Sequence, residues 1–331
     1  MKRLAVIGGG AWGTALSIVL APRFEQIRLW VYEADVARQL QASCRNDAYL
    51  PGFQVPETVL VTSELKTALE GAEVVLSVMP SHHVRKVYAQ MLPCLNDSMV
   101  FVSATKGLEV GSMLRMSEII AGVVTGFPAR VAALSGPTFA KEVAHGDPTA
   151  LVVASPDRDL SQCVQTAFSG PTFRLYTSED TIGVEIGGAV KNVIAIGSGV
   201  IHGMGLGHNV TAALITRGLA EITRLAVAMG GRATTLAGLA GLGDLVLTCT
   251  GELSRNRTVG IELARGRRLD EIIGSMKTVA EGIRTTDAAV ELARRFGVEM
   301  PIAEQMYQML YHGLSPREAI RRLMERSLKG E

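Results

Sequence analysis

Leu4-Ala5-Val6-Ile7-Gly8-Gly9-Gly10-Ala11-Trp12-Gly13 is the stretch that decides the fold. Four apolar residues read as a short strand buried on both faces. Gly8, Gly10 and Gly13 then complete the pattern G-x-G-x-x-G, and Ala- and Leu-rich sequence continues as a helix to Leu20. The pattern alone is weak in a chain with 35 glycines. Its place after a strand and before a helix gives it weight, because a tight glycine turn lets a pyrophosphate approach the backbone there. The free N–H groups at the helix start receive the negative charge. Ala11, Trp12 and the three glycines are therefore candidate dinucleotide contacts.

Working outward, short apolar runs alternate with amphipathic ones as far as residue 178. Strands are expected over 4–8, 27–31, 59–62, 74–79, 99–104, 131–135, 151–154 and 173–176, with helices over 11–20, 64–69 and 84–92 between them. That alternation predicts βαβ units and a Rossmann-type, doubly wound α/β sheet, mostly parallel. Beyond residue 180 the periods become helical, over 182–200, 211–229, 263–276, 283–296, 302–311 and 316–325. The 331 residues thus divide into a dinucleotide-binding domain, 1–180, and an all-α domain, 181–331, for substrate and catalysis.

Apolar residues make up 47% of the chain and charged ones 20%, enough for a large core. Lys plus Arg number 33 against 32 Asp plus Glu, a balance that argues against a nucleic-acid surface and leaves room only for a local cationic pocket. Cys44, Cys94, Cys163 and Cys249 form no close pair and read as reduced, mostly buried thiols. His82, His83, His202 and His208 lack metal-ligand spacing, so no metal is expected. The apolar run after Met1-Lys2-Arg3 is too short for a secretion signal, and no membrane span is expected. The cytoplasm is the expected compartment.

Glu33 follows the second expected strand, twenty residues after Gly13. A carboxylate there bonds the adenosine ribose hydroxyls and repels a 2′-phosphate, which favours NAD over NADP. Arg28 or Arg38 would be needed to reach a 2′-phosphate, and the choice between NAD and NADP stays open at this point.

Hydride transfer from an alcohol needs a proton carrier and cationic groups near the developing carbonyl oxygen. Lys106 ends an expected strand, at the sheet edge where α/β folds bind ligands. Lys191 lies in Gly187-Gly188-Ala189-Val190-Lys191-Asn192, where almost every neighbour is small or apolar. It would be desolvated, as proton-transferring lysines are, and the two glycines one turn earlier would leave room for a ligand. Asp244, a lone acid in Gly241-Leu242-Gly243-Asp244-Leu245, would orient Lys191, bind a substrate hydroxyl or cap a helix. Ser254, Arg255 and Asn256 open a helical run, so an N-cap, a guanidinium and an amide converge on one anion, most naturally a phosphate.

These motifs resemble the NAD(P)-dependent sn-glycerol-3-phosphate dehydrogenases of the soluble bacterial type. The resemblance runs nearly end to end. Its further marks are Asn46-Asp47-Ala48-Tyr49-Leu50-Pro51, Ala104-Thr105-Lys106-Gly107-Leu108, Ser135-Gly136-Pro137-Thr138-Phe139-Ala140-Lys141-Glu142 and Val279-Ala280-Glu281-Gly282. It implies reversible hydride transfer between glycerol 3-phosphate and dihydroxyacetone phosphate, supplying phospholipid synthesis, in a homodimer with a helical C-terminal domain. It implies that Lys191 accepts the proton of the C2 hydroxyl and that Lys106 touches substrate and coenzyme. Gly136, Thr138, Asp244, Ser254, Arg255 and Asn256 are implied as substrate contacts. Trp12, Ala140, Arg255, Val279 and Glu281 are implied as coenzyme contacts. The family often carries His or Arg where this chain has Tyr32, which removes one partner for a 2′-phosphate beside Glu33. Two rival readings are a β-hydroxyacid dehydrogenase of the same two-domain plan and an NAD(H) sensor without turnover.

Overall fold

The computed structural model describes residues 1–276, 280–328 and 330. Eight strands form one sheet: β1 (Arg3–Ile7), β2 (Gln26–Trp30), β3 (Val59–Thr62), β4 (Val74–Ser77), β5 (Val100–Ser103), β6 (Arg130–Ser135), β7 (Thr149–Ala154) and β8 (Phe173–Ser178). Their order is β3-β2-β1-β4-β5-β6-β7-β8. Every neighbouring pair is parallel except β6 and β7. Apolar runs read as strands because both faces of this sheet are covered. Leu4 and Val6 face one core with Leu29, Leu76 and Val102. Ala5 and Ile7, pointing the other way, join Trp30, Val75 and Phe101 in a second.

The doubly wound α/β class expected from the sequence is the one observed. Its strand order places a switch point between β1 and β4, where chain connections leave in opposite directions and ligands bind beyond the strand ends.

The chain divides into two compact units, Met1–Lys106 with Leu114–Glu185 and Gly107–Met113 with Ile186–Glu331. The division therefore falls inside the helix Thr181–Gly203 rather than at residue 180, and a short segment after Lys106 groups with the second unit. Among the described residues no strand follows Ser178. The run over 263–276, expected as one helix, is two: Arg255–Ala264 and Leu269–Ser275. Gly266, at φ +86°, breaks it in a conformation that favours glycine.

Helices Thr181–Gly203 and Arg255–Ala264 cross in backbone contact. A Cβ on Gly199 would lie 1.9 Å from the Arg257 carbonyl oxygen, and one on Gly260 would lie 1.9 Å from that of Ile196. Farther along, buried Glu221 accepts the N–H of Ile302 (2.8 Å) and of Ala303 (3.2 Å) at the start of helix Pro301–His312. Desolvation pushes its carboxyl from 4.5 up to about 7, against the pull of those two N–H groups.

Helix Thr181–Gly203 is long and apolar enough to cross a membrane, but 94% of its most apolar window is buried inside the protein, as in a core helix. One sequence expectation, that of mostly buried thiols, needs correction. Of the four thiols only Cys249 is buried, and Cys163 is exposed.

Candidate active site

In the first unit, Gly8 to Gly13 turn the chain from β1 into helix Ala11–Leu20. Gly8 has φ +127°, and a Cβ there would sit 2.7 Å from the Val78 carbonyl oxygen just past β4. A Cβ on Gly13 would fall 1.8 Å from the Gly8 carbonyl oxygen. These two glycines close the turn. Gly10 differs, because a Cβ there would meet nothing within 4 Å. Its open side flanks the first turn of the helix, whose N-cap makes no side-chain bond. The open side at Gly10 and the free N–H groups of the helix start fit a pyrophosphate, and so a dinucleotide.

Asn46 is buried beneath the turn. Its Nδ2 donates to the Gly9 carbonyl (2.8 Å) and to Thr14 Oγ1 (2.7 Å). Glu33 precedes helix Ala34–Ser43 and accepts the Tyr49 hydroxyl at 2.8 Å. Tyr32 is largely exposed and packs edge-on against Trp30. Arg28 is committed elsewhere: its Nη1 donates to the carbonyls of Thr67 (2.7 Å) and Glu70 (2.9 Å) and pairs with the Glu70 carboxylate. It is corrected as a reader of a 2′-phosphate. Arg38 is exposed, with Nε donating to the Ala34 carbonyl.

The loop after β5 is tied to the end of β4 by Thr105, whose hydroxyl donates to the Met79 carbonyl at 2.9 Å. Lys106 follows, and its Nζ donates to the Gly136 carbonyl (2.8 Å) and to Thr138 Oγ1 (3.2 Å). The structure thus joins three of the sequence-selected residues. Ala140 opens a helix, Ala140–His145, that packs on Ala11–Leu20. Glu185 is buried among donors: Arg115 Nη1 (2.7 Å), Ser117 N (2.8 Å) and Ser117 Oγ (2.6 Å). Desolvation still raises its carboxyl, with Arg115 opposing.

In the second unit Lys191 and Asp244 form a buried ion pair. Nζ lies 2.8 Å from Oδ1, and the side chains are 7% and 1% exposed. The same Nζ donates to Thr248 Oγ1 at 2.6 Å, and that hydroxyl donates to the Asp244 carbonyl at 2.6 Å. Thr248 went unnoticed in the sequence, although it stands one helical turn after Asp244. The space at Gly187 is not a ligand's. A Cβ there would lie 2.7 Å from the Ala240 carbonyl oxygen, so the π turn Leu239–Gly243 fills it and sets where Asp244 begins the next helix.

Ser254 caps helix Arg255–Ala264, its Oγ accepting the Arg257 N–H at 3.2 Å. Asn256 Nδ2 donates to Asn192 Oδ1 (2.9 Å), and its Oδ1 accepts the Gly282 N–H (2.9 Å). Among the described residues these are the bonds of the Asn256 side chain, which use one of its two amide hydrogens. Arg255 is exposed, yet desolvation by the protein around it lowers its proton affinity, and the Glu281 carboxylate opposes the loss. Val279 lies outside the described residues.

The chain matches known proteins over nearly its whole length. Residues 3–161 match the model of the NAD-dependent glycerol-3-phosphate dehydrogenase N-terminus, and residues 180–321 match that of its C-terminus. A Koribacter versatilis protein named glycerol-3-phosphate dehydrogenase (NAD(P)+) is 61% identical over 329 residues, covering 98% of each chain. One of the same name from Acidobacterium capsulatum is 55% identical over the full length of both. The crystal structure of the Coxiella burnetii glycerol-3-phosphate dehydrogenase superposes with a TM-score of 0.94 at 41% identity, covering 98% of this chain and 99% of that one.

Proposed function

The chain belongs to the NAD-dependent glycerol-3-phosphate dehydrogenase family, and on that premise we propose how its residues move a hydride between sn-glycerol 3-phosphate and dihydroxyacetone phosphate. A nicotinamide coenzyme, NAD or NADP, would supply the hydride acceptor in one direction and the hydride donor in the other when bound. The domain over 1–180 binds it, and the domain over 181–331 carries the phosphate site and the proton carrier.

Gly8, Gly10, Ala11, Trp12 and Gly13 receive the pyrophosphate on backbone N–H groups. Glu33 accepts the ribose hydroxyls beside Tyr32. Lys106, Ala140, Arg255, Val279 and Glu281 complete the coenzyme contacts carried over by family resemblance. Glu33 makes NAD the preferred coenzyme, because its charge repels a 2′-phosphate.

Lys191 exchanges the proton of the C2 oxygen. In the reducing direction its ammonium donates to the oxygen that gains charge as the hydride arrives, and in the oxidising direction its amine accepts the hydroxyl proton. Asp244 holds the ammonium in place, and Thr248 fixes its second donor direction. Arg255, the remaining amide hydrogen of Asn256 and the helix start at Ser254 hold the substrate phosphate. Lys106, Gly136 and Thr138 are further substrate contacts carried over by family resemblance.

The observation that best supports this reading is the buried Lys191–Asp244 pair at 2.8 Å, since a charged pair so deep is retained for chemistry more readily than for stability. We further propose a cytoplasmic homodimer that supplies glycerol 3-phosphate to phospholipid synthesis, as the family resemblance implies.

The test is initial rates with dihydroxyacetone phosphate, using NADH and NADPH in parallel. A kcat/KM at least about tenfold higher with NADH is expected, and turnover preferring NADPH would remove the role given to Glu33. Lys191→Ala should lower kcat by about 10²–10⁴-fold. Retention of more than about a tenth of kcat would show that another group carries the proton.

A further inference from the structure

Glu33 is poorly held by its own element. It precedes helix Ala34–Ser43, yet its side chain makes no capping bond there. Among the described residues its carboxylate has one hydrogen-bond partner, the Tyr49 hydroxyl at 2.8 Å. A half-exposed glutamate with no other tether samples several rotamers, and only some of them present an oxygen to a ribose.

Tyr49 itself is fixed to the glycine turn. Its N–H donates to the Asn46 carbonyl and to Asn46 Oδ1, each at 3.3 Å, and the next N–H, of Leu50, donates to the same carbonyl at 2.8 Å. Asn46 in turn donates from Nδ2 to the Gly9 carbonyl at 2.8 Å and to Thr14 Oγ1 at 2.7 Å. A chain of hydrogen bonds thus runs from the middle of the glycine turn, through Asn46 and Tyr49, to the carboxylate at the end of β2. The phenol remains a donor throughout the working pH range: burial pushes it up to about 12, reinforced by its bond to Glu33 and by the charges of Glu33 and Asp35.

We propose that Tyr49 is a specificity-determining residue that acts through Glu33, holding the carboxylate where it accepts ribose hydroxyls and opposes a 2′-phosphate. The inference rests on the reading of Glu33 given above. The hydroxyl occupies one lone pair of one oxygen, which leaves the rest of the carboxylate aimed at the vicinal ribose hydroxyls. Without that bond the carboxylate turns to solvent. NADH then loses an oriented acceptor, and NADPH loses the repulsion that excluded it. Arg38, exposed one turn further along the same helix, is the cation that a 2′-phosphate would meet.

The experiment is calorimetric titration of the free enzyme with NADH and with NADPH, which reads binding without turnover. Tyr49→Phe removes one oxygen and keeps the ring. It should raise the NADH Kd by about 3- to 10-fold, the range of a side-chain hydrogen bond, with no matching loss for NADPH. Glu33→Gln should lower the NADH preference further, and adding Tyr49→Phe to it should change the ratio of the two Kd values by less than about twofold. A purely structural role for Tyr49 would weaken both coenzymes equally, in either background, and would overturn the proposal. So would a Tyr49→Phe ratio unchanged while Glu33→Gln collapses it. A wild-type enzyme that binds NADPH more tightly, with Glu33→Gln neutral, would overturn the Glu33 reading first, and the two failures are therefore distinguishable.

Discussion

The buried pair of Lys191 and Asp244 allows stability to be separated from chemistry. With the ions 2.8 Å apart and the side chains 7% and 1% exposed, the attraction at an effective dielectric near 20 is about 6 kcal/mol. Desolvation of both groups consumes much of it. Asp244→Asn keeps the shape and one acceptor oxygen but strands the ammonium in the interior. Breaking such a pair from one side costs about 3–5 kcal/mol. For a unit of this size each kcal/mol displaces Tm by about 2–4 °C, so a drop of roughly 10 °C is expected. Replacing both groups, Lys191→Met with Asp244→Leu, should restore stability to within about 1.5 kcal/mol of wild type, because neither charge remains buried. Activity should not return, and kcat should stay at least about 10²-fold down. Scanning calorimetry and steady-state kinetics on the three proteins decide it. An Asp244→Asn melting shift below about 2 °C would show that Asp244 does not neutralise Lys191. A double variant with near-normal kcat would show that Lys191 does not carry the proton.

Three further outcomes follow from the geometry. Gly10→Ala should leave Tm within a degree or so, since its Cβ meets nothing within 4 Å, yet weaken NADH binding by about tenfold or more, because the methyl group occupies the pyrophosphate's side of the turn. Gly13→Ala, whose Cβ would lie 1.8 Å from the Gly8 carbonyl oxygen, should lower both Tm and coenzyme affinity. Glu221 should give a pH signature: with its carboxyl raised from 4.5 to about 7, the folded state holds a proton in that interval that the unfolded state releases. Its contribution is therefore fully present below about pH 4.5 and lost as pH rises through 7, by up to about 3 kcal/mol. Melting curves of wild type and Glu221→Gln between pH 5 and 8 should diverge in slope, and parallel slopes would remove Glu221 as the source.

The sheet was legible because strands covered on both faces must be apolar throughout, as in Leu4–Ile7 and Val74–Leu76, and the glycine turn because no other residue fits Gly8 and Gly13. The Lys191–Asp244 pair was legible as two charges each isolated among small apolar residues. Gly187 misled because a glycine looks the same in sequence whether a ligand or a neighbouring carbonyl, here that of Ala240, takes up its space. Arg28 misled because a strand residue's direction is known only once its neighbours are, and these proved to be the carbonyls of Thr67 and Glu70. The single helix expected over 263–276 runs across Arg265-Gly266-Arg267-Arg268, where no apolar residue stands, and the positive φ of Gly266 marks the break. The bond between Tyr49 and Glu33 joins two loops and follows no periodicity, so nothing in the sequence pointed to it.

The crossing at Gly199 and Gly260 turns two helices into a gauge. Lys191 rides on one and Ser254, Arg255 and Asn256 begin the other, and where they meet no side chain lies between the backbones to yield. The span from the proposed proton carrier to the proposed phosphate grip is consequently set by main-chain contact, which yields less than side-chain packing. Such a gauge measures its substrate: a phosphorylated alcohol one carbon longer or shorter could seat its phosphate or its reacting oxygen, but not both. Discrimination by chain length would then show in kcat more than in binding, and a single methyl group at Gly260 would reset the gauge.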